Sequence, residues 1–164
     1  MNADVVKIIV ISFLCAGFIM VYGFMRCRIP GYKDPLTKTV FGERWKEILD
    51  GWSLAHLLFY MLLGYMFPDY LILIVLIGAA WEVVESLSQH KPFYLSGCKA
   101  QKVISTDPTN SAQGWWYSKF TDLIHNTIGA MIGYMLAKGG FKHGVEGIVG
   151  LHVLNLVSLM MFGV

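Results

Sequence analysis

The chain has 164 residues, 55% of them hydrophobic and only 15% charged, with a net charge of +2 and a mean hydropathy of +0.55. Soluble domains carry about 25% charged residues, so long apolar blocks in a chain this short point to a small polytopic membrane protein rather than a soluble core. The charge is too small to imply nucleic-acid binding, and the sequence has no glycine-rich phosphate loop, nucleophile elbow or zinc-finger spacing.

The first apolar block covers 5–25 and is interrupted only by Lys7. It is long enough for the ~30 Å hydrocarbon core. Arg26 and Arg28 follow like a stop-transfer flank, with no convincing small-residue cleavage site. An uncleaved first membrane helix is therefore expected rather than a signal peptide. Ile29-Pro30-Gly31 ends it. Over 40–51, Phe41, Trp45 and Ile48 recur at helical spacing and Trp52 continues the row, with Glu43, Arg44, Lys46, Glu47 and Asp50 elsewhere on the wheel. That pattern predicts an amphipathic helix lying at the membrane interface.

The second and third blocks, 52–67 and 71–87, are joined by Phe67-Pro68-Asp69-Tyr70, a proline turn. Both are short for a full crossing and are expected to pair as a hairpin. The loop 88–119 carries a turn at Asp107-Pro108-Thr109-Asn110 and an aromatic belt at Trp115-Trp116-Tyr117. The fourth block, 120–137, stops at Lys138-Gly139-Gly140. The fifth is 145–162, where Gly144, Gly147 and Gly150 would admit a neighbouring helix. The expected fold is one all-α membrane domain over 1–164, with about five transmembrane helices plus one interfacial helix. Cys15, Cys27 and Cys98 are odd in number and widely spaced, so they are read as free thiols rather than a disulfide framework.

Five spans put the termini on opposite sides. The N-terminal side holds three basic residues, Lys7, Lys138 and Lys142, and the other side holds the remaining ten. The positive-inside rule then predicts the N-terminus outside and the C-terminus in the cytoplasm.

On that map three blocks bring polar residues to the cytoplasmic face. Asp50, Ser53, His56 and Tyr60 open the second block, Trp81, Glu82 and Glu85 close the third, and Asp122, His125 and Asn126 open the fourth. Ionisable groups at membrane depth need partners and often mark function. The functional reading makes His56 an acid/base, oriented by Glu82 or Asp122, as the candidate catalytic set. Ser53, Tyr60, Trp81, Glu85, His125 and Asn126 are the candidate binding residues, for a lipid or lipid-linked substrate. Ser53 is a nucleophile only if a base lies within reach. A mixed carboxylate and imidazole set suits zinc, iron or manganese. The spacings match neither the Glu-x-x-His nor the His-Glu-x-x-His motif, so no metal and no cofactor is assigned. The plainer reading has these groups bonded to one another as a lock for the bundle. Gly129 and Gly133 read as a packing groove, and His152 and Asn155 as interhelical hydrogen-bonding groups.

The run Ser53-Leu54-Ala55-His56-Leu57-Leu58-Phe59-Tyr60, then Ala80-Trp81-Glu82-Val83-Val84-Glu85, then Asp122-Leu123-Ile124-His125-Asn126-Thr127-Ile128-Gly129, resembles the VanZ-like membrane proteins. It resembles especially a related family of small bacterial inner-membrane proteins of uncharacterised activity. The resemblance covers about 50–137. It implies a helical bundle whose acidic and histidine residues meet in one site, and a link to glycopeptide resistance or the cell envelope without a defined reaction. Where such relatives often carry a second acid one turn after the asparagine, this chain has Ala130.

Two functional classes follow. One is a VanZ-like membrane protein acting on a lipid or lipid-linked substrate. The other is a non-enzymatic protein that shapes a bilayer or anchors a larger assembly, such as a viral capsid over an internal membrane. The partners expected are the lipid bilayer and, in the second class, neighbouring protein chains; nucleic acid is not among them.

Overall fold

Runs of Ile, Leu, Val, Met and Phe without internal proline form five α-helices in the computed structural model, which describes residues 2–26, 34–39, 41–45, 48–88 and 119–162. They are α1 (Ala3–Arg26), α2 (Gly51–Met66), α3 (Leu71–Ser88), α4 (Phe120–Lys138) and α5 (Gly144–Phe162). No strand occurs among the described residues. The Ile29-Pro30-Gly31 break, the Asp107-Pro108 turn, the Trp115-Trp116-Tyr117 belt, Cys27 and Cys98 lie outside them.

The helix ends follow local chemistry. Asp50 caps α2, its side chain accepting from the Ser53 amide at 2.8 Å. This satisfies one of the orphan N–H groups of the first turn. Pro68 opens a single 3-10 turn, Pro68–Tyr70, that passes directly into α3. At the end of α4 the Gly139 amide bonds the Met135 carbonyl, and Gly140 follows at φ 75°, a left-handed conformation suited to glycine.

The interfacial helix expected over 40–51 is not continuous. Its described residues make one 3-10 turn, Glu43–Trp45, followed by a turn and a bend at Ile48 and Leu49. Gly42 precedes that turn at φ 86°, outside the right-handed helical region, and Asp50 is withdrawn to cap α2. Phe41, Trp45 and Ile48 remain exposed, as an aromatic and apolar surface.

α2 is the hub, packed chiefly on α4 and also against α3 and α5. The α2–α4 contact is backbone to backbone. A Cβ added at Gly64, Gly129 or Gly133 would lie 2.2, 2.1 or 2.0 Å from the carbonyl oxygens of Ala130, Leu57 and Met61 respectively. Gly129 and Gly133 are thus a packing groove, as expected. The glycines of α5 behave differently. Gly144 abuts the Tyr65 ring, but among the described residues nothing lies within 4 Å of a Cβ at Gly147 or Gly150. The period of 3.6 residues explains this. Gly144, Ile148, His152, Asn155 and Leu159 form one stripe, Ile148 and Leu159 are its buried members, and Gly150 falls on the opposite face.

Ile8, Tyr60, Leu63, Phe67, Ile74 and Ala130 form the main core, and Leu58, Met61 and Ile148 a second one. Outside these cores the surface is oily. Phe13, Leu14 and Phe18 of α1 and Met160, Met161 and Phe162 of α5 are all at least two-thirds exposed. Contiguous apolar faces of this kind mark a membrane or a partner, not water. Among the described residues three segments are long and apolar enough to cross a bilayer: Ala3–Gly23, Pro68–Leu87 and Gly144–Phe162. α2 has 16 residues, about 24 Å of helix at 1.5 Å per residue. α4 carries Asp122, His125 and Asn126 in its first turns.

Candidate functional site

The polar residues form a ladder across α2, α4 and α3 at one end of the bundle. The first rung starts where the chain enters α2 and α4. Lys119 Nζ lies 2.5 Å from Asp50 Oδ2, and Asp50 Oδ1 caps α2. One turn inward, Ser53 Oγ donates to Asp122 Oδ1 at 2.7 Å. Asp50, Ser53 and Asp122 are 1%, 0% and 4% exposed, so each depends on these partners. Asp122 also sits in the first turn of α4, where the helix dipole favours a carboxylate.

The second rung is one turn deeper. Asn126 Nδ2 donates to Glu82 Oε1 at 3.0 Å, and Asn126 Oδ1 lies 2.9 Å from His56 Nδ1. A carboxylate only accepts, so Glu82 fixes which way the amide points. The amide oxygen then faces His56 and, being an acceptor, requires the hydrogen on Nδ1. The network therefore assigns the Nδ1–H tautomer, with Nε2 as the basic nitrogen of the neutral ring. Glu82 Oε1 is itself 3.4 Å from His56 Nδ1, beyond a good hydrogen bond. Asn126 thus stands between Glu82 and His56 in the hydrogen-bond chain, Glu82 remains within ion-pair range of the ring, and Asp122 takes Ser53.

Glu85, one turn on from Glu82 along α3, is also buried. One donor atom each from His56, Glu82 and Glu85 lie within 4.8 Å of one another. His125 does not join the ladder. Its Nδ1 is 3.8 Å from Asp122 Oδ1 and makes no hydrogen bond among the described residues. Tyr60, a turn beyond His56, is buried edge-on against Phe59 at 5.3 Å between ring centroids. It also fits against Gly78, where a Cβ would come within 3.2 Å of its ring. Trp81 is half-buried.

Beside the ladder lies a cavity of about 470 Å³ between α1, α2, α3 and α5. Its walls are largely apolar and aromatic, with Ile19 and Tyr22 from α1, Trp52 and Phe59 from α2, and Leu156 from α5. His56, Tyr60 and Trp81 are the sequence-predicted site residues in its wall. Ser53, Glu82, Glu85, Asp122, His125 and Asn126 do not line it. His152 does, and Asn155 also reaches the Gly51 carbonyl at 3.5 Å.

Two anchors lay outside the expected set. Lys119 neutralises Asp50; its signal was a lone cation just before the Asp122 turn. Asp34 accepts from Tyr22 Oη at 2.9 Å, from Trp52 Nε1 at 3.0 Å and from the Leu36 amide at 3.0 Å. It ties the 3-10 turn Pro35–Thr37 to α1 and α2 at the cavity rim. Its signal was the Asp34-Pro35 pair, an N-cap followed by proline at the first helical position. No protein-family model, curated protein or solved structure matches this chain.

Proposed function

We propose that this chain is a five-span membrane protein whose cavity takes the hydrocarbon portion of a lipid or lipid-linked molecule and brings its polar end to His56. One observation carries the reading: His56 belongs both to the apolar cavity wall and to the buried Glu82–Asn126–His56 chain. An apolar pocket with a few convergent polar groups is the usual form of a ligand site. In that setting Nε2 of His56 is a base held in one tautomer by Asn126, and Glu82 stabilises the imidazolium formed when it takes a proton. Ser53 with Asp122 is a second hydroxyl–carboxylate pair, held one turn away. The order of the three motifs supports a VanZ-like assignment. The three-to-ten division of basic residues supports an N-terminus outside and a C-terminus in the cytoplasm.

The test is lipid content. Purified protein extracted with organic solvent is expected to yield a co-purifying lipid near one per chain by mass spectrometry. Ala16→Phe, which fills the cavity from α1, is expected to lower that yield severalfold while the protein stays folded. Unchanged lipid in Ala16→Phe would count against the reading. It would favour the second one, a non-enzymatic protein that shapes a bilayer or holds neighbouring chains, which draws on the exposed apolar faces of α1 and α5.

A further inference from the structure

We infer that His56, Glu82, Glu85 and Asn126 form a site for one divalent transition-metal ion. The sequence spacing offers no metal motif, because the donors come from three helices. The geometry assembles them. His56, Glu82 and Glu85 present donor atoms within 4.8 Å of one another, and all three residues are buried. His56 Nδ1 faces two further oxygens, Asn126 Oδ1 at 2.9 Å and Glu82 Oε1 at 3.4 Å. Tetrahedral zinc with nitrogen and oxygen ligands at 2.0–2.2 Å places neighbouring ligand atoms roughly 3.4 Å apart. The His56–Glu82 separation is therefore already a coordination edge, and Glu85 closes the set by a side-chain rotation.

The chemistry balances. In the metal-free cluster the Nδ1 proton of His56 sits among these oxygens. An incoming cation takes that place, and the Nδ1 proton passes by way of solvent to Nε2, so the ring becomes a ligand and stays neutral. Asn126 Oδ1, no longer accepting from His56, becomes an oxygen ligand. Its Nδ2 keeps the hydrogen bond to Glu82 and so holds that carboxylate in position. Two carboxylates, a neutral imidazole and an amide carry two negative charges, which a divalent ion neutralises in a buried setting. Nitrogen and oxygen donors without a thiolate suit Zn²⁺, Mn²⁺ or Fe²⁺. The deep, water-poor position disfavours Mg²⁺, which keeps its waters. His56 in the cavity wall gives the ion a route in. The ion makes His56 a ligand in place of the base of the lipid reading and leaves the cavity itself unchanged, so metal content and lipid content test the two separately.

The experiment uses the full chain without a histidine tag, in detergent, stripped with EDTA and dialysed against Zn²⁺ or Mn²⁺. Elemental analysis is expected to find one ion per chain, bound more weakly as pH falls. Glu85→Gln and His56→Ala are expected to weaken binding at least tenfold, with Asp69→Asn, exposed at the other end of the bundle, unchanged. Circular dichroism checks that each variant is helical. Should a ligand variant fail to fold, pulsed EPR of the Mn²⁺-loaded wild type decides through its imidazole ¹⁴N coupling. No ion above background, binding undiminished in both ligand variants, or no nitrogen coupling would each overturn the site.

Discussion

Asp50 and Lys119 meet at 2.5 Å with side chains only 1% and 10% exposed. Removing one partner of a buried pair leaves an uncompensated charge, at a cost of about 3–5 kcal/mol. Lys119→Met is therefore expected to lower the unfolding free energy in detergent by about 3 kcal/mol, the low end, because Lys119 retains slight solvent access. Asp50→Asn combined with Lys119→Met should recover part of that loss, since asparagine still caps a helix. A double variant no better than the single one would show that the pair does not act as a unit. At this scale the residue identities were legible but the partners were not. Asp122 and Asn126 stood one turn apart on one face. Nothing local told that Asn126 would bridge Glu82 to His56 while Asp122 turned to Ser53.

Among elements, the decisive contact is α2 against α4. Gly133→Ala puts a methyl carbon 2.0 Å from the Met61 carbonyl oxygen, where the neighbour is backbone and cannot rotate away. The helices must separate, and overpacking of this kind costs about 1–3 kcal/mol. Gly150→Ala meets nothing within 4 Å among the described residues and gains up to about 1 kcal/mol of helix propensity. Thermal unfolding of the two variants in one detergent is expected to move in opposite directions. If both stabilise, the close α2–α4 packing is wrong. The glycine patterns of α4 and α5 looked alike in sequence. The buried stripe of each helix, set by what it packs on, separated a groove from an unused face. The aromatic spacing of 40–51 misled for a related reason: it described a surface, and Gly42 and the capping role of Asp50 decided the backbone.

At the scale of the molecule, three segments among the described residues meet the length and apolarity of a membrane crossing. The proposed five-span arrangement adds α2 and α4: the other helices pack around α2, and α4 shields its buried Asp122, His125 and Asn126 against them while Phe120, Ile128, Met131 and Met135 stay exposed. Such shielding is what lets polar side chains sit at membrane depth. The topology is checked by a reporter fused after Val164 and a protease site before Met1. The C-terminal reporter is expected in the cytoplasm and the N-terminal site outside, and the reverse result would invert the charge reading.

By itself, the sequence determined the all-helical class, the places of the five helices, the stops after α2 and α4 and the residues rich in chemistry. These depend on hydropathy and hydrogen bonding within a few positions along the chain. Only the tertiary structure decided the pairings: Ser53 with Asp122 at 69 residues' separation, His56 with Asn126 at 70, and Asn126 with Glu82 at 44. Those depend on the depth and rotation of each helix. Backbone contact at Gly64, Gly129 and Gly133 sets both quantities between α2 and α4, and no local pattern encodes them.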